Sequence, residues 1–225
     1  MGIIINQSIR NAAISYLGIV IGFVSTIKLF PNILEADQFG LTRILLAITT
    51  LSVQVLNFGI PNSMVKFFPL LRDRLETPKA VFWLFLIPPL IGFVVFGFLF
   101  YGLKAPVINL YSSDSELFAD YYLFVLPLVF FFASYGLLSA FLRANFDTVF
   151  SSFLQDILLR IVVILNLILY YFDWINFEEF IIIFIANYAL QYLLLLFYSI
   201  YNKYIEFTFL SFKSIKGELK EIFDS

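Results

Sequence analysis

The sequence predicts an all-α bundle of about six membrane-spanning helices, and three observations predict it. Of the 225 residues, 61% are hydrophobic and 13% charged, with a mean hydropathy of +0.94. Soluble domains run near 45–50% apolar and about 25% charged, so this chain has more apolar surface than a globule of its length can hide. Six apolar stretches reach the ~20 residues that a helix needs to cross the hydrocarbon core. Lys and Arg also concentrate in alternate connectors, as the positive-inside rule requires of an even number of spans.

The stretches run over Ile9–Phe30, Leu41–Val65, Ala80–Leu103, Leu117–Leu142, Val149–Phe172 and Phe177–Tyr201. Together they make one transmembrane unit, 1–201, followed by a charged segment, 202–225, that reads as a cytoplasmic tail or the start of a linker. The first stretch has no Lys/Arg-rich leader and no small-residue cleavage site after it, so it stays as a helix. Gly2 formally suits N-myristoylation, but position 6 is Asn rather than Ser or Thr. Strands are the competing reading, since Phe, Ile, Val and Tyr favour them. A membrane barrel would show alternating segments of about 10 residues. These runs are about twice that long and do not alternate.

Breakers mark the spans. Pro88-Pro89 interrupts the third and Pro127 the fourth; each proline removes a backbone donor, which suits either a packing kink or a hinge. Gly18-x-x-x-Gly22 in the first span lets another backbone approach closely.

Polar residues inside the spans form stripes. Arg43, Ala47, Thr50, Gln54 and Asn57 fall at intervals of three and four, on one face of the second helix. Asn11, Ser15, Gly18, Gly22 and Ser25 do the same in the first, with Lys28 one turn on. Ser152, Asp156 and Arg160 align in the fifth, and Asn187, Gln191 and Tyr198 in the sixth. The third has almost no stripe and reads as lipid-facing. Two explanations compete: hydrogen bonds between helices, or a water-filled cavity lined by the first, second, fifth and sixth spans. Asp156 and Arg160, four residues apart, can pair within their own helix or serve cargo and coupling. Lys28 suits snorkelling to the interface. Arg43 suits either a pair with Glu35 or Asp37 or a place in the cavity.

The absence of Cys and His removes disulfides, thiol chemistry and the commonest metal ligand and general base. Glu178-Glu179 is the only tight acid pair, and adjacent helical residues do not share a face. An enzyme is therefore not expected, nor a metal or other cofactor, nor a nucleic-acid partner, since no basic run is present.

The segment Leu34-Glu-Ala-Asp-Gln-Phe-Gly40, then Arg43, then Leu56-Asn-Phe-Gly-Ile-Pro-Asn-Ser-Met-Val-Lys-Phe-Phe-Pro69, resembles oligosaccharide flippases of the multidrug/oligosaccharidyl-lipid/polysaccharide exporter superfamily. The match is sharpest over 6–74. It places the Phe-Gly that opens the family's second helix at Phe39-Gly40. The Gly-rich turn falls at Gly59, and the basic-aromatic cytoplasmic segment at Lys66-Phe-Phe-Pro69. The resemblance implies a MATE-like lobe in the bacterial inner membrane. Its cargo would be a polyprenyl-diphosphate-linked oligosaccharide, a precursor of O-antigen, capsule or exopolysaccharide, moved by alternating access. Family members are roughly twice this length and have two lobes, so a second lobe or subunit is implied as partner, beside membrane lipid. By matching position Arg43 is the foremost cargo-binding candidate, then Lys28; Gln54, Asn57 and Arg160 are further candidates, and Asp156 is a candidate for coupling. The rivals are a cation-coupled multidrug exporter of the same fold, with Asp156 as its acid, and an accessory subunit without transport of its own.

Arg10, Lys66, Arg72, Arg74, Lys79, Arg143, Lys203, Lys213, Lys216 and Lys220 fall on one side, ten of the fourteen basic residues. That puts both termini in the cytoplasm. Reporter fusions at Asp73 and Asp224 are predicted to read cytoplasmic, and fusions at Ser113 and Asn176 external. A swapped reading at two neighbouring connectors breaks this topology.

Overall fold

The computed structural model describes residues 2–72, 81–111 and 117–205. Among these residues every regular element is helical. Six helices are long and apolar enough to cross a membrane: Ile5–Ile33, Ala36–Asn57, Phe85–Gly102, Phe118–Ala144, Val149–Tyr171 and Phe177–Tyr201, the first to sixth spans. The chain is a multi-pass helical membrane protein. Arg74, Lys79, Ser112–Glu116 and the charged tail from 206 onward lie outside the described residues.

Local chemistry sets the helix ends. At the start of the second span, Glu35 and Gln38 form a reciprocal capping box. Asn176 and Glu179 repeat the device at the sixth, where the Glu179 amide donates to Asn176 Oδ1 at 2.9 Å and the Asn176 amide to Glu179 Oε2 at 2.9 Å. Each satisfies donors that a helix N-terminus leaves unpaired.

The second span is shorter than the apolar run Leu41–Val65 suggests. It stops at Asn57, because Phe58 and Gly59 both adopt left-handed backbone conformations (φ 41° and 73°). A new helix, Ile60–Arg72, begins at once, with Pro61 in its first turn, where the missing N–H costs nothing. This helix buries Met64 and Phe68, while Lys66 and Phe67 stay exposed. The third span runs through Pro88-Pro89 without a break. In the fourth, a tight 3₁₀ turn at Tyr122–Phe124 directly precedes the turn holding Pro127.

The fourth span is the hub. It packs against the second, third and sixth spans and the Ile60–Arg72 helix, and buries Val125, Leu128, Val129, Leu137, Leu138, Phe141 and Leu142. The fifth span packs on the sixth, and the first leans on the fifth. The third span exposes Ile91, Val94, Val95, Phe98 and Leu99, as a lipid-facing helix should.

Contacts at the helix ends sort the connectors. At one end, Gln7 Nε2 donates to the Phe146 carbonyl at 2.7 Å, the hydroxyls of Tyr198 and Tyr204 donate to Asp147, and Phe68 meets Phe141 edge-on. At the other, the Tyr170 hydroxyl donates to Gln38 Oε1 and Tyr121 packs on Phe177. The first end carries Arg10, Lys66, Arg143 and Lys203 with Asp147 as its described acid. The second carries Glu35, Asp37, Asp120, Asp173, Glu178 and Glu179 beside Lys28 and Lys104. They are the basic and acidic ends below.

Gly18 and Gly22 seat the first span on the fifth. A Cβ at Gly18 would stand 2.6 Å from the backbone oxygen of Asp156, a contact the helices can relieve only by separating. Gly18→Ala is predicted to destabilise the bundle by about 1–3 kcal/mol, the usual cost of overpacking. Gly97→Ala, where a Cβ meets nothing within 4 Å, should be neutral or better. Thermal unfolding of the two variants in one detergent makes the comparison; equal melting temperatures would remove the close contact from the account.

Candidate functional site

A cavity of about 810 Å³ opens between the first and second spans, floored by the fourth, fifth and sixth. Its wall carries Arg43 from the second span, Tyr135, Ser139 and Arg143 from the fourth, Gln155, Asp156 and Arg160 from the fifth, and Gln191 from the sixth. Aromatic and aliphatic side chains, Phe23, Phe30, Phe132 and Phe184 among them, fill the remainder. The volume lies in the range of ligand sites, which are mostly apolar with a few placed polar groups.

The three arginines stand at different depths. At 1.5 Å per residue, Arg43 lies about 10 Å into its helix from the acidic end. Arg160 lies about 16 Å from the start of the fifth span at the basic end. Arg143 is the penultimate residue of the fourth span, at the basic mouth.

Arg43 is held by rings. Its guanidinium carbon lies 5.1 Å from the centroid of Phe30 and 4.7 Å from that of Phe39, within cation–π range. These rings bracket the turn between the first two spans, so the turn itself positions the cation. Among the described residues neither Glu35 nor Asp37 pairs with it, and its buried Nη2 has no hydrogen-bond acceptor. A donor in that condition has unused capacity for an oxygen ligand.

Asp156 and Arg160 do not pair within their helix among the described residues; both turn to the first span. Ser15 Oγ donates to Asp156 Oδ2 at 2.7 Å, and Arg160 Nη1 donates to the Gly18 carbonyl oxygen. The guanidinium lies where a side chain at Gly22 would be. Both segments widen into π-helical turns, Val24–Leu29 and Leu154–Leu158, and both turns contribute to the cavity wall. Such turns gather at functional sites.

The two explanations for the polar stripes therefore divide the first span between them. Asn11, whose Nδ2 donates to Thr148 Oγ1 at 2.7 Å, and Ser15 bond to other helices; Gly22 and Ser25 line the cavity. In the second span Arg43 lines it, but Ala47, Thr50 and Gln54 are exposed and outside its wall, and Asn57 is buried. Thr50 is satisfied by its own helix, donating to the Ala47 carbonyl at 2.9 Å. Lys28 is exposed near the acidic end and lies outside the wall. Gln191 lines the cavity, while Tyr198 bonds to Asp147.

Sequence reasoning omitted the fourth span from the wall. Phe132, Gly136, Ser139 and Arg143 fall at intervals of four, three and four, with Tyr135 beside Gly136, a stripe concealed by two aromatic members and by counting Arg143 only as a connector charge.

The chain matches no family model, no curated protein and no solved structure. The likeness to flippases rests on the residues quoted above.

Because the chain has no cysteine, single cysteines report directly on the cavity. Ser139→Cys and Gln155→Cys are predicted to react with a membrane-impermeant anionic thiol reagent in proteoliposomes. Leu165→Cys, exposed on the outer face of the fifth span, should resist it. If Ser139→Cys and Gln155→Cys resist as Leu165→Cys does, the cavity holds no water.

Proposed function

We propose that this chain is one lobe of a membrane transporter whose cargo is a lipid-borne phosphoric anhydride, the polyprenyl-diphosphate-linked oligosaccharide that the resemblance implies. One observation carries the reading. A cavity at membrane depth is lined by Arg43, Arg143 and Arg160 against a single acid, Asp156, among the described residues.

Charges within a bilayer are costly and face a cavity or a partner. A diphosphate and its sugars cannot cross hydrocarbon unsolvated, so the carrier must supply cations and hydrogen-bond groups while the lipid tail stays in the bilayer. Arg43 suits the anhydride, because its planar fork donates to two oxygens at once. Tyr135, Ser139, Gln155 and Gln191 offer neutral hydrogen bonds of the kind sugar hydroxyls take. No covalent chemistry is needed, and no enzymatic step is assigned. The excess of cations weighs against the rival multidrug exporter of cationic compounds.

The partner lobe is supported by polar groups exposed on the first two spans: Thr50 and Gln54 of the second, Thr26 and Lys28 of the first. Polar groups at membrane depth find a better neighbour in protein or water than in lipid tails. Two bundles rocking about a shared site would give alternating access. The concentration of cations at the basic end supports a cytoplasmic position for that end.

A charge-assisted hydrogen bond is worth about 1.5–3 kcal/mol. Arg43→Ala is therefore predicted to lower export of the lipid-linked oligosaccharide by roughly 10- to 100-fold at matched membrane abundance, and Arg43→Lys to restore part of it. The assay belongs in the native membrane, where a partner lobe is present. Wild-type export by Arg43→Ala would end the cargo role.

A further inference from the structure

We infer that Arg143, with Ser139 and Gln155, forms a second anion site at the basic mouth of the cavity, an entry site through which the phosphate-bearing headgroup reaches Arg43. This rests on the transporter reading above and adds a direction of approach and a residue to it.

An arginine in the last turn of a helix ordinarily serves the terminal carbonyls or a nearby acid. Here both tasks are done by other groups. The Phe141 carbonyl accepts from the backbone N–H and from Nδ2 of Asn145, and the Leu142 carbonyl from the amides of Asn145 and Asp147. The Arg143 carbonyl accepts from the amide of Phe146. The adjacent acid, Asp147, accepts from the hydroxyl of Tyr198 at 2.7 Å and that of Tyr204 at 3.0 Å. Among the described residues no carboxylate pairs with the Arg143 guanidinium, which is exposed yet contributes to the cavity wall.

Its neighbours on the wall suit a phosphate. Ser139 lies one turn deeper on the same face, and Gln155 lines the cavity from the fifth span; a hydroxyl and an amide extend the fork with neutral donors. The other exposed cations of that end, Arg10, Lys66 and Lys203, add a field of the same sign. Arg43 stands roughly 20 Å further along the axis, too far for one phosphate to touch both. The cavity therefore offers two separate anion positions, an exposed one at the mouth and a half-buried one held by rings.

Exposed and buried charges act on different rate constants. A rim charge sets the association rate and its salt dependence, whereas a desolvated one sets dissociation. The test uses the full chain in nanodiscs of neutral phosphatidylcholine, with farnesyl diphosphate as ligand and stopped-flow fluorescence as readout. Arg143→Gln is expected to slow association by about 3- to 10-fold and flatten its dependence on salt, with dissociation near wild type. Arg143→Lys should hold association within about twofold, since steering needs the charge and not the fork. Arg43→Gln should instead speed dissociation. If Arg143→Gln associates like wild type, at every salt concentration, while Arg43→Gln loses affinity, the entry site is wrong and the cavity reading stands. If neither variant alters binding, both fall. Inorganic diphosphate, added as competitor, separates a lipid-borne headgroup from a soluble anion. Weak competition supports the lipid-borne source, and competition equal to that of the prenyl form overturns it.

Discussion

Arg160 lies across Gly22 and donates to the carbonyl oxygen of Gly18, and the cavity depends on that contact. Lipid tails are as apolar as the side chains they touch, so helices in a membrane associate through close packing and hydrogen bonds rather than by hydrophobic burial. Most of the first span's apolar surface is exposed, and its other anchors, Gln7 on Phe146, Asn11 on Thr148 and Phe30 on Phe39, lie toward its two ends. Two glycines bring its backbone against the fifth span, and Ser15, bonded to Asp156, fixes the register. Without that seat the wall carrying Ser25 and Phe30 has no reason to stand where it does. The same contact explains why an aspartate and an arginine four residues apart ignore each other. Each satisfies a group on the first span, and together they form two rungs between the helices.

Much of this was legible in the sequence. The six runs, the sides of their connectors and the close approach at Gly18-x-x-x-Gly22 follow from length, charge and residue size. What the sequence could not supply was the identity of the neighbour each stripe meets. Periodicity shows that Arg43, Thr50 and Gln54 share a face; it does not show that the face straddles an edge, with Arg43 inside the cavity and the other two outside it. The fourth span was overlooked for the opposite reason, since a hub helix is apolar on nearly all sides and its one polar edge is diluted. The break at Phe58-Gly59 falls inside the run Leu41–Val65; the resemblance put a Gly-rich turn at Gly59, but the conformational cost of a left-handed Phe leaves no mark in hydropathy.

The rings around Arg43 reconcile two demands on an intramembrane cation. On the proposed function, it must be tolerated when the cavity holds no anion and remain available when one arrives. A carboxylate partner would meet the first demand and defeat the second, because cargo would have to displace it. The faces of Phe30 and Phe39 stabilise the charge more weakly, by about 0.5–2 kcal/mol, and leave the N–H edges open. Since both rings border the turn joining the first two spans, a change in the angle between those spans would change the grip on the cation. Charge and geometry at the acidic end are thereby coupled.

The pairing of the first span with the fifth also has a consequence for biogenesis. Ser15 and Asp156 are 141 positions apart, and ribosomes add about 5–20 residues per second. The first helix therefore waits on the order of 10 seconds in the membrane before its partner is made. During that interval Asn11 and Ser15 have none of their final acceptors, and the glycine seat is an open notch. An insertase or a neighbouring helix that shelters the notch would act as a chaperone for this chain.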